Sequence, residues 1–172
     1  MSVDFEAEYR SCYGRVFGLC LRLLGGNVLA EDAAHDAFVR AYRSLERYDP
    51  AQPFAAWVLG IARNHCIDLL RRRRRGGVRF GDEADEVAAA ESESVEGVDA
   101  LLANERSARV RAAIAALPEK YRVPIVLAYY DESSYDEIAA VLGITRNHVG
   151  VLLLRGKQAL RRTLAPTEEE EE

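Results

Sequence analysis

From Phe5 to Leu24 the large apolar side chains fall at steps of three and four: Phe5, Tyr9, Tyr13, Val16, Phe17, Cys20, Leu23 and Leu24. That spacing brings them back to one side of an α-helix at every turn. The same period governs almost the whole chain, and residues 1–77 contain no stretch that reads as a strand. Such a chain can bury its apolar surface only by packing helix on helix, so an all-α fold is expected. With 172 residues and 49% hydrophobic content there is material for one medium or two small cores.

Local signals divide the first half. Gly25-Gly26 ends the first helix, and Asn27 is placed to cap the second. The second helix puts Phe38, Ala41, Tyr42 and Leu45 on one face and the polar stripe Asp32, Asp36 and Arg40 on another. Asp36 and Arg40 lie one turn apart and can pair. Tyr48-Asp49-Pro50 breaks this helix, and Pro53 suits the first turn of a third. The third helix should bury Phe54, Trp57, Val58, Ile61 and His65, and present Asn64, Asp68, Arg71 and Arg72 on its other side. It runs into five consecutive arginines, Arg71–Arg75, before Gly76-Gly77 stops it.

Charge then separates what periodicity cannot. Residues 80–105 carry nine acids and no Lys or Arg, and Glu168–Glu172 add five more. The remainder holds 14 acids against 23 bases, so the net charge of −5 conceals two basic modules on either side of an acidic connector. Basic modules of this kind suit a polyanionic partner, and five guanidiniums within two turns exceed what local carboxylates can pair. The expected division is a helical module at 1–77, a flexible acidic linker at 78–97, a second helical module at 98–165 and an acidic tail at 166–172.

The second module carries its own signature. A helix ends at Leu117-Pro118, and Pro124 is expected to interrupt the next stretch, so that a helix starts near Pro124. Ser134-Tyr135-Asp136-Glu137 reads as a capping box. Ala139, Gly143 and Val149 then keep the spacing of a helix-turn-helix, with small, flexible and apolar residues in turn, and Thr145 caps the last helix. Leu152 or Leu153 completes the small core, which leaves Gly150, Val151 and Leu154 without an inward role.

Other chemistries find no support. The chain has no HExxH, P-loop or GxSxG pattern, and none of its three histidines pairs with a Ser or Cys at a suggestive spacing. No catalytic residue, metal ligand or cofactor is assigned. Cys12, Cys20 and Cys66 lack CxxC spacing and are expected to be reduced and buried. No apolar run approaches the roughly 20 residues of a membrane helix. The acidic, polar start MSVDFEAEYR is unlike a signal peptide, so a cytoplasmic protein without membrane insertion is expected.

Three stretches together resemble a known family. AEDAAHDAFVRAYRSLERYD, PFAAWVLGIARNHCIDLLRRRRR and ALPEKYRVPIVLAYYDESSYDEIAAVLGITRNHVGVLLLRGKQALRRTL are similar to the extracytoplasmic-function group of bacterial sigma-70-type sigma factors. The resemblance implies a specificity subunit of RNA polymerase with two domains, regions 2 and 4. Asp32, Asp36 and Arg40 would lie on the helix that docks on the clamp helices of the polymerase β′ subunit. The loop from Asp49 to Pro53, with Phe54 and Trp57, would hold a base flipped from the minus-ten element. Arg63, Asn64, Asp68, Arg71 and Arg72 would contact that element. The second domain would dock on the β flap and read the minus-thirty-five element with Arg146, Asn147 and His148, while Arg155 and Lys157 reach phosphates. An anti-sigma factor is a further implied partner.

This chain departs from the family at the recognition helix. Members commonly carry Lys or Arg where Gly150 and Leu152 stand, and a His or aromatic residue where Leu154 stands. Two other readings remain beside the sigma factor: a stand-alone helix-turn-helix transcriptional regulator, and an interaction protein whose apolar last helix binds a regulator.

Overall fold

A computed structural model describes residues 3–75 and 98–165. The acidic connector at 78–97 and the acidic tail at 166–172 fall outside the described residues. Within them the chain forms seven α-helices, one short 3-10 turn and no strand. They group as two small helical domains, α1–α3 and α4–α7.

Helix α1 (Phe5–Leu24) starts where Asp4 accepts a hydrogen bond from the Ala7 amide at 3.2 Å, and Glu6 and Glu8 reinforce the positive end. It stops at Gly25, whose φ of +77° is the left-handed conformation that glycine reaches without a Cβ clash. Helix α2 (Asn27–Arg43) follows at once. Its cap is Gly26 in an extended conformation, not Asn27, which lies one residue inside the helix and makes no capping bond. Ala30, Ala33, Ala34, Ala37 and Ala41 are fully buried along α2, and these small side chains let the backbone of α2 lie close against its neighbours.

A 3-10 turn, Leu45–Arg47, leads into the loop before α3 (Phe54–Arg75). The loop is tied down by its own side chains. Asp49 Oδ1 accepts from the Ala51 amide at 2.9 Å, and the Tyr48 hydroxyl donates to the Gln52 carbonyl at 2.7 Å. Beneath it Phe54, Tyr48, Trp57 and Phe5 form an edge-packed aromatic cluster with centroids 5.0–5.7 Å apart. Tyr42, expected on the inner face, touches Phe5 but is 65% exposed.

In the second domain α4 (Val98–Ala115) precedes α5 (Glu119–Tyr129), and α5 departs from the sequence expectation. It is continuous through Pro124 and does not begin there. An interior proline forfeits one backbone hydrogen bond and costs roughly 3 kcal/mol. Val123, Pro124, Ile125, Val126 and Leu127 are all buried, and burying such side chains contributes about 1.5–3 kcal/mol apiece, so packing outweighs the defect.

Helices α6 (Tyr135–Leu142) and α7 (Arg146–Leu164) meet at 102°, the geometry of a helix-turn-helix. Both halves of the expected capping box form: Ser134 Oγ accepts from the Glu137 amide at 3.2 Å, and Glu137 accepts from the Ser134 amide at 2.7 Å. Gly143 takes φ +67°, and Thr145 Oγ1 accepts from the His148 amide at 3.2 Å. Ile138, Val149, Leu152 and Leu153 are buried, so both leucines of the run serve the core.

The two domains share one continuous core. Tyr130, at the end of α5, lies against Gly18 of α1, with the Arg22 guanidinium 4.1 Å from the centre of its ring and its hydroxyl donating to the Arg15 carbonyl at 3.3 Å. Arg63 on α3 reaches Asp131 and Ser133, Arg71 donates to the Val141 carbonyl, and Arg74 pairs with Glu119.

Candidate nucleic-acid interface

Three surfaces carry the residues singled out from the sequence. The first is the outer side of α2. Asp32, Asp36 and Arg40 are exposed there. Beside them stand apolar residues that charge patterning does not reveal: Val28 at 74%, Leu29 at 45% and Val39 at 42% exposure. Their off-core register, with Val28, Asp32, His35, Val39 and Tyr42 at steps of four and three, was the available signal. A solvent-facing helix strip that mixes carboxylates with aliphatic side chains is suited to a partner with basic and apolar groups.

Behind this strip lies His65. Only 5% exposed, its Nε2 stands 3.3 Å from Asp36 Oδ2, near enough for attraction but out of line for a good hydrogen bond. Burial pushes the imidazole below its usual pKa and nearby Arg40 adds to this, while Asp36 opposes them. His65 is thus a core residue whose burial disfavours its charged form, in contact with the surface strip.

The second surface is the Asp49–Pro53 loop with α3. Phe54 is 4% exposed and Trp57 half-buried, so the two rings form the floor under the loop rather than a free stacking platform. Asn64, Asp68 and Arg72 face solvent. Arg63 and Arg71 do not stand free. Arg63 Nη1 is 3.1 Å from Asp131 Oδ2, and Arg71 divides between Asp68 at 3.5 Å and the Val141 carbonyl. Desolvation lowers the pKa of Arg74, with Glu119 opposing the shift.

The third surface is the helix-turn-helix. Arg146, Asn147 and His148 sit exposed in the first turn of α7, where backbone amides point outward and favour anions. Arg146 lies 3.3 Å from Asp136 across the corner. Arg155 is exposed one face further round, whereas Lys157 rests over the Tyr129 ring, 5.2 Å from its centre. Helix α7 holds five Lys or Arg residues and no Asp or Glu.

Among the described residues no cluster of His, Cys, Asp and Glu could hold a metal ion, and no single helix is long and apolar enough to cross a membrane. All three cysteines are free thiols in the core.

Residues 9–76 match the family Sigma-70 region 2, and residues 107–160 match Sigma-70, region 4. The ECF RNA polymerase sigma factor SigW of Bacillus subtilis (strain 168) is 37% identical over 155 residues, which cover 87% of this chain and 83% of the relative. The chain belongs to the extracytoplasmic-function sigma factors of the sigma-70 family. It is also 35% identical to the sigma factor SigE of Mycolicibacterium smegmatis over 88% of its own length, although that stretch spans only 58% of the longer relative. Among solved structures, the sigma factor RpoE in complex with the anti-sigma factor NepR from Bartonella quintana shares the fold at a TM-score of 0.63 and 20% identity, over 94% of this chain and 96% of that one. CnrH in complex with the cytosolic domain of CnrY aligns at 0.53 and 25% identity, over 98% and 89%. Both regions of a sigma factor are present in order, so the function of the chain is in transcription initiation.

Proposed function

We propose that this chain binds core RNA polymerase in the cytoplasm and places it on promoters through two DNA elements, without catalysis of its own. Residues 1–77 act as the region 2 domain, 78–97 as the acidic connector, 98–165 as the region 4 domain and 166–172 as an acidic tail. The observation that carries this reading is that one chain joins an acidic and apolar docking strip on α2, a basic α3 and a helix-turn-helix. A stand-alone regulator would need only the last.

Asp32, Asp36 and Arg40, with Val28 and Val39 among them, dock on the β′ clamp helices, and the region 4 domain docks on the β flap. The Asp49–Pro53 loop, braced by Asp49 and floored by Phe54 and Trp57, receives a base unstacked from the minus-ten element. Unstacking costs a few kcal/mol, which contacts to the flipped base and basic contacts to the strand offset. Arg63, Asn64, Asp68, Arg71 and Arg72 line the path of that strand. In α7, Arg146, Asn147 and His148 face base edges, where an Asn side chain can pair with adenine and an Arg with guanine. Arg155 and Lys157 serve phosphates.

One consequence is conformational. Arg63 is engaged by Asp131 and Ser133 and Arg71 by the Val141 carbonyl, all in the other domain, so both are freed for DNA when the two domains part. A proteinaceous regulator of the anti-sigma kind would fit this chain by holding them together.

A footprint of the holoenzyme reconstituted with core polymerase on genomic DNA tests the proposal. Two protected elements that require polymerase are expected. Protection of a single duplex site by the chain alone would replace it with the stand-alone regulator.

A further inference from the structure

Helix α7 presents a second feature that the fold does not use. Its inner side is filled by Val149, Leu152, Leu153 and Gly156, all buried. Its outer side runs Asn147, Val151, Leu154 and Gln158, at steps of four, three and four, all exposed. In the middle of that side Val151 is 44% and Leu154 57% exposed. These are aliphatic side chains at the centre of the face that follows directly from the polar first turn, Arg146, Asn147 and His148.

The surroundings select the occupant. Arg146 and His148 precede the aliphatic pair, Arg155 flanks it and Arg161 and Arg162 lie beyond, with no carboxylate anywhere on the helix. A cationic rim around a small apolar centre complements a polyanion with one apolar feature, and duplex DNA offers that in its major groove. The polar edges of adenine, guanine and cytosine gain nothing from Val or Leu and would lose water without replacement. The 5-methyl group of thymine is the one base-edge group there that prefers an aliphatic neighbour. Gly150 fits the same picture. A Cβ added there would stand 3.9 Å from the Tyr135 ring, an ordinary contact, so packing does not demand glycine. Its missing side chain lets the helix sit nearer the groove floor.

We infer that Val151 and Leu154 are specificity residues that read thymine methyl groups in the upstream promoter element, an inference that rests on the promoter-binding role proposed above. Burying one methyl-sized apolar group changes affinity by a factor of about four.

The test uses the reconstituted holoenzyme on a footprinted promoter whose upstream thymines are replaced singly by deoxyuridine, which lacks only the methyl group. Binding is expected to fall about fourfold at one or two thymines. Val151→Ser and Leu154→Ser should each abolish the sensitivity at one of them. Both side chains are exposed, so the melting temperature of each variant serves as the check that the fold is kept. Specific binding that ignores every methyl group would overturn the inference and leave the promoter-binding role standing. Absence of any promoter-specific complex would overturn that role itself. Variants that keep the methyl sensitivity but lose a protein regulator would overturn the inference too, by assigning the pair to that regulator.

Discussion

Arg63 Nη1 lies 3.1 Å from Asp131 Oδ2 and 3.2 Å from Ser133 Oγ, a contact that ties α3 of the first domain to the turn that opens the helix-turn-helix of the second. The Asp131 side chain is only 5% exposed, so it depends on this partner and on Ser133, which donates to it at 2.6 Å. The turn itself is strained, with Glu132 at φ +55°. Under the proposed role Arg63 would leave this site to meet DNA, so the contact would act as a measurable brake.

Replacing Asp131 with alanine should therefore loosen the domains. Losing a charge-assisted, partly buried hydrogen bond removes about 1.5–3 kcal/mol. Scattering should show a larger radius of gyration for Asp131→Ala, and affinity for single-stranded minus-ten DNA should rise. An unchanged radius together with unchanged affinity would mean that Arg63 is not what holds the domains.

Glycine substitutions separate docking from helix propensity. A Cβ at Gly18 would overlap the Tyr130 hydroxyl oxygen, whereas one at Gly14 meets nothing within 4 Å. Gly18→Ala should open the domains as Asp131→Ala does. Gly14→Ala should leave them docked and raise stability by about 0.5–1 kcal/mol, read from a denaturant midpoint.

The same comparison applies within α7. At Gly156 a Cβ would stand 3.0 Å from Ile125 Cγ1, in the tight crossing of α5 and α7. Gly156→Ala should lower the melting temperature, because a buried crossing tolerates added volume poorly and overpacking costs about 1–3 kcal/mol. Gly150→Ala should raise it, since the helix gains up to about 1 kcal/mol of propensity without a clash.

Acid should weaken the first domain through His65. Burial holds its folded-state pKa below the ordinary imidazole value. The folded protein consequently binds fewer protons, and this contribution is complete above the unfolded pKa, about 6.5, and lost as pH falls through the folded one. Stability should decline from pH 7.5 to 5.5, by no more than about 1.4 kcal/mol per pH unit from this one group. His65→Gln should flatten that slope in urea melts.

Much of this architecture is legible in the sequence because its causes are local. Apolar steps of three and four set the helices, and Ser134, Glu137, Gly143 and Thr145 fix the corner of the helix-turn-helix through neighbours within six residues. Expectation failed where tertiary packing decided. Pro124 stays inside α5 because its flanks are buried, and the cap of α2 falls on Gly26 rather than on Asn27. The partners that Arg63, Arg71 and Arg74 find across the domain boundary lie 45–70 residues away, beyond any local pattern. The exposed strip on α2 is half legible in the sequence. Its carboxylates stood out against a basic module, but Val28 and Val39 become meaningful only when the buried face is known.

The central claim is that the chain confers promoter specificity on RNA polymerase, and run-off transcription with purified core enzyme addresses it most directly. On a template carrying the footprinted promoter, core polymerase plus this protein should yield one discrete transcript that core polymerase alone does not make. Asp36→Lys, a reversal on an exposed side chain, should reduce it by weakening assembly with the β′ clamp helices. If no discrete transcript appears and the chain fails to associate with core polymerase while still binding duplex DNA alone, the account is contradicted.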